Sequence, residues 1–179
     1  MVRVPLPGRE QLSGEGQAVY DSIEKSRGGV GNIWRALLNA PGLADRILAL
    51  ADELRHGTTI DKHTRELAVL VVGSATKCDY EFDHHWNAAL KAGIPRAKLE
   101  ALSEFETSPI FDERERAVMR FAKEATEVGT VKDATWDALR GHFEVPQAME
   151  ILLTVAWYNT VVRILLPLNI ENEPDFKRH

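Results

Sequence analysis

One stretch of the sequence, residues 64–93, concentrates the side chains that could do chemistry. It holds the only cysteine, Cys78, and it places Glu81 one helical turn before His85. If the stretch is a single helix, these three side chains share a face with apolar residues such as Leu67. A carboxylate buried on such a face without a partner costs several kcal/mol. Glu81 should therefore be paired, protonated or used in a reaction.

His85 is the leading candidate for an acid–base group, because imidazole titrates near neutral pH. In this interpretation Glu81 orients the imidazole or holds its charge, and Glu66 adds a second carboxylate. Cys78 is a further candidate, either as a reactive thiol or as a small buried hydrophobe. Structural alternatives stay open for the other three residues. For His85 and Glu81 the alternative is a pair in the core whose polar atoms satisfy each other, and for Glu66 it is an acidic residue that the helix dipole favours at a helix start.

Two Glu-x-x-His pairs have the spacing that di-iron carboxylate bundles use, Glu53 with His56 and Glu81 with His84. In the helical interpretation, however, His84 falls off the apolar face, and His56 stands beside Gly57 at a helix end. We therefore expect no metal and no other cofactor.

Composition narrows the classes of protein and partner. A chain of 179 residues can form one well-buried domain or two small lobes that share a core. The net charge of −5 provides no basic surface for nucleic acid. A single cysteine excludes an intrachain disulfide and a multi-cysteine zinc site. No uncharged run approaches membrane-spanning length, so we expect a cytoplasmic protein without a membrane partner.

The elements that must position the candidate residues are helices, because apolar residues recur at helical spacing and no alternating strand pattern is present. Pro41 suits a first helical position, and Asp61 or Thr64 and Asp112 suit helix starts. The fold class is therefore all-α. The predicted helices cover approximately residues 15–25, 33–40, 41–54, 64–93, 96–104, 112–125, 131–142 and 146–168. In the last of them, the residues predicted to face the core are Met149, Leu152, Leu153, Ala156, Val161 and Leu165.

A weak internal repeat suggests two related helical halves. Residues 51–61 are similar to residues 122–133, and each segment precedes an apolar helix with an acidic residue near its start, Glu66 in one and Glu150 in the other. The first half would then hold the site and the second would be scaffold. Chance similarity between amphipathic helices is the open alternative.

The central stretch and its flanks resemble the carboxymuconolactone decarboxylase family, which includes the alkyl hydroperoxidase D (AhpD) proteins. The resemblance covers roughly residues 30–170, and it rests on the runs Arg65-Glu66-Leu67-Ala68, Tyr80-Glu81-Phe82, His85 and Ala92-Gly93-Ile94. It implies an AhpD-like helical bundle that forms a homo-oligomer, a trimer or a hexamer. It also divides the chain into an arm with a first helix at 1–30, a family domain at 31–170 and a polar tail at 171–179.

The resemblance further implies a helix break near Thr76-Lys77, which would leave Cys78 at the start of a second helix. The backbone amides at that helix start would then lower the pKa of the thiol. The peroxidase branch of the family has a Glu, then Cys-x-x-Cys, then a His. Glu66, Cys78 and His85 match three of those places, but Glu81 stands where the second cysteine would be. The internal disulfide cycle therefore cannot run.

Three functions follow in order of preference. The first is an enzyme that acts by acid–base chemistry on a small carboxylated lactone or related organic acid, with His85, Glu81, Glu66 and Cys78 as the candidate catalytic residues. The second is a peroxide-reducing protein that uses Cys78 with an external thiol. The third, of another class, is a non-catalytic helical oligomer.

Overall fold

The computed structural model describes all 179 residues, and it is all-helical with no strand. The fold class is thus the predicted one. The α-helices are α1 (Gly14–Arg27), α2 (Asn32–Leu37), α3 (Pro41–Asp52), α4 (Lys62–Thr76), α5 (Asp79–Lys91), α6 (Arg96–Glu100), α7 (Glu113–Glu127), α8 (Asp133–Arg140) and α9 (Val145–Leu168). Two short 3-10 turns, Arg9–Gln11 and Leu102–Glu104, and one π-helical turn, Glu53–Gly57, complete the regular structure.

The chain forms two compact units. The first comprises Met1–Gly57 with Arg163–Phe176, and the second comprises Thr58–Val162 with Lys177–His179. All four candidate catalytic residues lie in the second unit. The division predicted at residues 30 and 170 comes from the family resemblance and not from the compactness of these two units, so it stays a prediction.

In the first unit, α1 packs against α3 around a small apolar core. Val19, Ile23 and Leu48 are buried there, as amphipathic helices require. Pro41 occupies the first turn of α3, as predicted, where its missing N–H costs no hydrogen bond.

In the second unit, α4 is the central helix and packs against both α5 and α7. Every residue from Thr64 to Gly73 is buried, so this part of α4 lies in the core of the second unit. Asp61 caps α4 by accepting a hydrogen bond from the Thr64 amide at 2.7 Å. A Cβ atom on Gly73 would lie 3.1 Å from the backbone nitrogen of Phe82. Glycine at this position therefore allows α5 to approach α4 closely.

The stretch 64–93 is two helices rather than one, so the single-helix interpretation is wrong and the break implied by the resemblance is confirmed. Lys77 ends α4 in the left-handed region with φ 56° and ψ 39°. The amide of Cys78 then donates a hydrogen bond to the Gly73 carbonyl at 3.0 Å, which closes the helix end in the manner of a Schellman motif. Periodicity missed the break because Lys77 is not the glycine that usually marks such a position.

Helix α9 carries apolar residues on all sides, and the predicted core face is only partly right. Val161 and Leu165 are buried, but Met149 and Leu153 are 42% and 51% exposed, and Ala156 is exposed as well. Periodicity cannot choose a face on a helix without a polar side. By length and composition α9 could also cross a membrane, a property that it shares with core helices of soluble proteins; 39% of its most apolar window is buried.

Candidate active site

Two packed helices of the second unit bring three candidate residues together. Glu66 lies in the second turn of α4, whereas Glu81 and His85 lie one turn apart on α5. The side chains of Glu66, Glu81 and His85 are only 7%, 5% and 14% exposed. Sequence reasoning had grouped these three residues, and the structure places them in contact.

The imidazole of His85 lies between the two carboxylates. Its Nδ1 atom is 2.6 Å from Oε2 of Glu66, within a hydrogen bond. Its Nε2 atom is 3.0 Å from Oε1 of Glu81. The spacing of four residues on one helix fixes the second contact, while the packing of α4 against α5 supplies the first.

The two contacts differ in quality. The contact of Nε2 with Glu81 is close in distance but lacks the alignment of a hydrogen bond, because Oε1 of Glu81 is buried and has no hydrogen-bond partner. The missing alignment makes this contact weak in spite of the short distance, since hydrogen bonds weaken steeply when the donor points away from the acceptor. A proton on Nδ1 is therefore held firmly, whereas a proton on Nε2 is held loosely.

Two further side chains border this cluster, Arg65 from α4 and Tyr158 from α9. Arg65 is buried, with its Nε atom 3.4 Å from Oε1 of Glu66, so a guanidinium partly offsets the two carboxylates. The ring of Tyr158 from α9 meets the ring of His85 edge to face at a centroid distance of 4.8 Å and an angle of 81°. Arg65 directly precedes Glu66 in the chain, but neighbouring residues of a helix usually point apart, so the sequence alone could not reveal the contact.

The pKa of His85 lies well above its usual value of 6.5. Burial is the largest influence and lowers the pKa, but the charges of Tyr158, Glu66 and Glu81 and the hydrogen bond to Glu66 raise it by more. A tyrosine phenol is ordinarily neutral near pH 7, so at that pH we assign the rise to the two carboxylates. The two carboxylates therefore favour the imidazolium form of His85.

Cys78 is at the start of α5, as the resemblance implied, but its thiol has the opposite property to the one expected. The residue is 2% exposed, and burial raises the pKa of the thiol to about 11. The Glu81 backbone amide lowers the pKa by less, and the charges of Glu81 and Asp79 raise it further. The expected activation by the helix N-terminus is thus wrong, because burial and nearby carboxylates outweigh the amides.

The two Glu-x-x-His pairs are not part of any metal-ligand group. No group of three or more His, Cys, Asp or Glu side chains has an arrangement that could hold an ion. The ring of His84 stacks on Tyr80 at 4.3 Å, while Glu53 and His56 lie in the π-helical turn of the first unit. The side chains that meet at the candidate site, Glu66, Glu81 and His85, are groups that bind and release protons.

A second buried cluster centres on Glu115 of α7, and sequence reasoning missed it. Its Oε1 atom contacts Nε2 of His63 at 2.7 Å and the ammonium of Lys98. Its Oε2 atom accepts a hydrogen bond from the Asp112 amide at 2.9 Å, which completes a capping box. The Asp-x-x-Glu spacing after residue 111 is the signal that could have identified the carboxylate.

Comparison with known proteins agrees with this architecture. Residues 41–124 match the model of the Carboxymuconolactone decarboxylase family. No curated protein matches the sequence. Among solved structures, a cysteine-to-alanine variant of the debrominase Bmp8 in complex with 2,3,4-tribromopyrrole is similar, with 21% identity and a TM-score of 0.83 over 97% of this chain and 92% of that one.

Two bacterial structures are similar to the same degree. One is an uncharacterized peroxidase-related protein from a Silicibacter species, with 22% identity and a TM-score of 0.83 over 98% of this chain and 93% of that one. The other is an uncharacterized peroxidase-related protein with an alkylhydroperoxidase AhpD core from Ralstonia eutropha, with 20% identity and a TM-score of 0.83 over 97% and 93% of the two chains. At these identities the likeness shows the fold. The chain is thus similar to the carboxymuconolactone decarboxylase family over residues 41–124, and its fold is that of the AhpD-like helical proteins.

Proposed function

We propose that the protein is an acid–base enzyme that removes carbon dioxide from a small carboxylated lactone or related organic acid, with His85 as the proton donor. One observation carries the proposal. Glu66 fixes Nδ1 of His85 through a hydrogen bond of 2.6 Å, while Nε2 has no aligned acceptor although Glu81 lies 3.0 Å away. The imidazolium is thus oriented by one carboxylate and retains one transferable proton.

The reaction needs an electron sink and a proton. The bond between the substrate carbon and its carboxylate breaks, carbon dioxide leaves, and the electron pair moves into the neighbouring carbonyl of the lactone or 3-oxo acid. The Nε2–H of His85 then protonates the carbon and leaves a neutral imidazole, which regains a proton from water. A buried, acid-lined site disfavours the substrate carboxylate relative to neutral carbon dioxide, which assists the first step.

The two glutamates have different roles in this scheme. Glu66 holds the ring and selects the nitrogen that donates, in the manner of the carboxylate that orients a catalytic histidine. Glu81 keeps the imidazole protonated, and its buried Oε1 atom can accept a hydrogen bond from the substrate. Because the substrate carbonyl is the electron sink, the reaction as written uses no cofactor.

The peroxide-reducing alternative receives less support. It needs a thiolate, and a pKa of about 11 leaves Cys78 as a thiol at neutral pH. The name debrominase, which belongs to a protein of similar fold, indicates that this architecture is not confined to one substrate class. We therefore retain hydroperoxide turnover as an outcome that would overturn the proposal.

We also propose that the protein is a cytoplasmic homo-oligomer. Val145, Met149 and Leu153 form an exposed apolar strip along one side of α9, with side chains 42–52% exposed. Such a strip is typical of a surface covered by a partner, and a second copy is the partner that the family resemblance implies. A monomer in sedimentation equilibrium would contradict this proposal.

The test of the acid–base proposal is the release of carbon dioxide from carboxymuconolactone and from a series of 3-oxo acids in D2O. We expect His85→Gln to lower kcat by about 10²- to 10⁴-fold, the usual contribution of a general acid. We expect the wild type to place deuterium on the carbon that loses the carboxylate. His84→Gln is the matched control, because it removes a neighbouring imidazole that is stacked on Tyr80.

Two results would overturn the proposal. One is full activity of His85→Gln towards a substrate that the wild type decarboxylates. The other is hydroperoxide consumption with an external dithiol that disappears in Cys78→Ser, since that would make the thiol the reactive group.

A further inference from the structure

The outer face of α5, formed by Phe82, Asp83, Trp86 and Asn87, binds another part of the second unit. Asp83, Trp86 and Asn87 are turned by about 100° or more from both Glu81 and His85, because a helix turns about 100° per residue, and Phe82 borders this face. Residues 177–179 lie across this face and contact it through both backbone and side-chain atoms. No step of the proposed reaction uses these contacts.

The backbone contacts have the form of peptide recognition. The side-chain amide of Asn87 donates to the Lys177 carbonyl at 2.7 Å and accepts from the His179 amide at 2.9 Å. One amide thus contacts two alternate residues of an extended segment, as a neighbouring strand would. The indole of Trp86 donates to the His179 carbonyl at 2.6 Å, and Arg96 donates to the same oxygen at 3.2 Å.

The side-chain contacts with α5 involve one residue of the segment above all, Arg178. The guanidinium of Arg178 is 2.7 Å from Oδ1 of Asp83 and lies over the rings of Trp86 and Phe82 at 5.2 and 6.0 Å. A planar cation suits a carboxylate and an aromatic face together better than an ammonium does. Lys177, by contrast, is exposed and reaches α5 through its backbone carbonyl.

We propose that the outer face of α5 is a binding site for an extended peptide segment centred on an arginine, that residues 177–179 occupy it in cis, and that occupancy holds α5 in place. The site is independent of the proposed function, since it is defined by side chains that the proposed reaction does not use. Its link to the candidate active site is α5 itself, which carries Glu81 and His85.

Residues 177–179 can leave the outer face of α5, because several of their contacts with it are exposed to solvent. Arg178 and Asp83 are 50% and 19% exposed, so their ion pair is accessible to salt. The hydrogen bonds of Asn87 are at the surface as well. Residues of α5 that face α4 are buried, so release of the segment loosens the helix without removing its core contacts.

Hydrogen exchange in three variants tests this inference. We expect the amides of α5 to exchange about tenfold faster in Arg178→Ala and in a variant that lacks residues 177–179, while the amides of α7 are unchanged. Lys177→Ala is the matched control, because it removes a neighbouring cation and keeps the backbone contacts. Unchanged exchange of α5 in both Arg178→Ala and the shortened variant would overturn the proposal.

A synthetic peptide of residues 174–179 then tests recognition in trans. Added to the shortened variant, it should restore slow exchange in α5, and the same peptide with alanine at position 178 should not. Equal restoration by both peptides would overturn the role of the arginine. If the shortened variant does not fold, Arg178→Ala in the full chain keeps every side chain of α5 and provides the weakly occupied site for the same pair of peptides.

Discussion

The second unit contains two buried clusters in which a histidine meets a carboxylate, and their charge balance is opposite. At Glu115 one carboxylate faces two cationic or protonatable groups, His63 and Lys98. At His85 one imidazole faces two carboxylates, Glu66 and Glu81. Both clusters connect different helices and both are largely excluded from solvent.

The difference lies in which atoms are left without a partner. Both oxygens of Glu115 accept hydrogen bonds, one of them from the capping box of α7. Its carboxyl pKa is lowered, because Lys98, the Asp112 backbone and His63 together outweigh the effect of burial, which would raise it. The His85 cluster keeps a buried oxygen of Glu81 that has no hydrogen bond, although Nε2 of His85 lies 3.0 Å away. A completed network stabilises a fold, whereas an uncompleted one retains a proton that can move.

The largest stability effect should therefore come from Glu115. We expect Glu115→Gln to lower the free energy of unfolding by about 3 kcal/mol, because it leaves Lys98 largely buried without an opposite charge. Urea denaturation gives this value, and Glu113→Gln is the matched control because its side chain is 73% exposed on the same helix.

The corresponding change in the other cluster should have a small effect on stability. Glu81→Gln removes a carboxylate whose Oε1 atom has no hydrogen bond, and His85 keeps its contact with Glu66. We expect its free energy of unfolding to stay within about 1 kcal/mol of the wild type. A loss as large as that of Glu115→Gln would show that both clusters are structural, and the comparison would fail.

The two clusters should also affect the pH dependence of stability in opposite ways. The contribution of one is lost as the pH rises, which gives an alkaline limb, and that of the other is lost as the pH falls, which gives an acidic limb. The pKa of His85 is raised above 6.5 by folding, so its contribution is fully present below about pH 6.5 and is lost as the pH rises through the raised value. The pKa of Glu115 is lowered from 4.5, so its contribution is present above that pH and is lost as the pH falls. Urea unfolding between pH 3 and 9 should show both limbs.

Variants separate the two limbs. His85→Gln should flatten the alkaline limb and leave the acidic one, and Glu115→Gln should do the reverse. An alkaline limb that persists in His85→Gln would contradict a raised pKa for that imidazole in the folded protein.

Much of the fold could be predicted because its determinants are local. Pro41, Asp61 and Asp112 begin or cap helices as their types require, and apolar spacing gives the helices between them. The break at Lys77 was accessible only through the family resemblance, since a lysine carries no left-handed preference. The exposed side of α9 was not predictable, because Met149 and Leu153 differ from buried neighbours in position and not in type.

The candidate site was predictable to a similar extent. Glu81 and His85 are one turn apart on a helix, so the sequence indicates their contact. The contact of Glu66 with Nδ1 depends on how α4 packs against α5, and His63 and Lys98 contact Glu115 from 52 and 17 residues away in the sequence. Sequence patterns show capping boxes and helical pairs, but not which oxygen of a buried carboxylate remains without a donor.

Cys78 gives the smallest effect and tests whether the thiol takes part in the chemistry beside it. A thiol with a pKa of about 11 has about a hundredfold less thiolate at pH 8 than one with the usual value of 9.0. We therefore expect alkylation of the folded protein by iodoacetamide to be at least about a hundredfold slower than that of the urea-unfolded protein, which exposes the same thiol as its own control. Rapid alkylation at pH 8 would mean that the helix N-terminus does activate the sulfur, and the peroxide-reducing alternative would then displace the acid–base proposal. Slow alkylation that accelerates in Glu81→Gln would show that the charge of Glu81 keeps the proton on the sulfur, as it does on the imidazole.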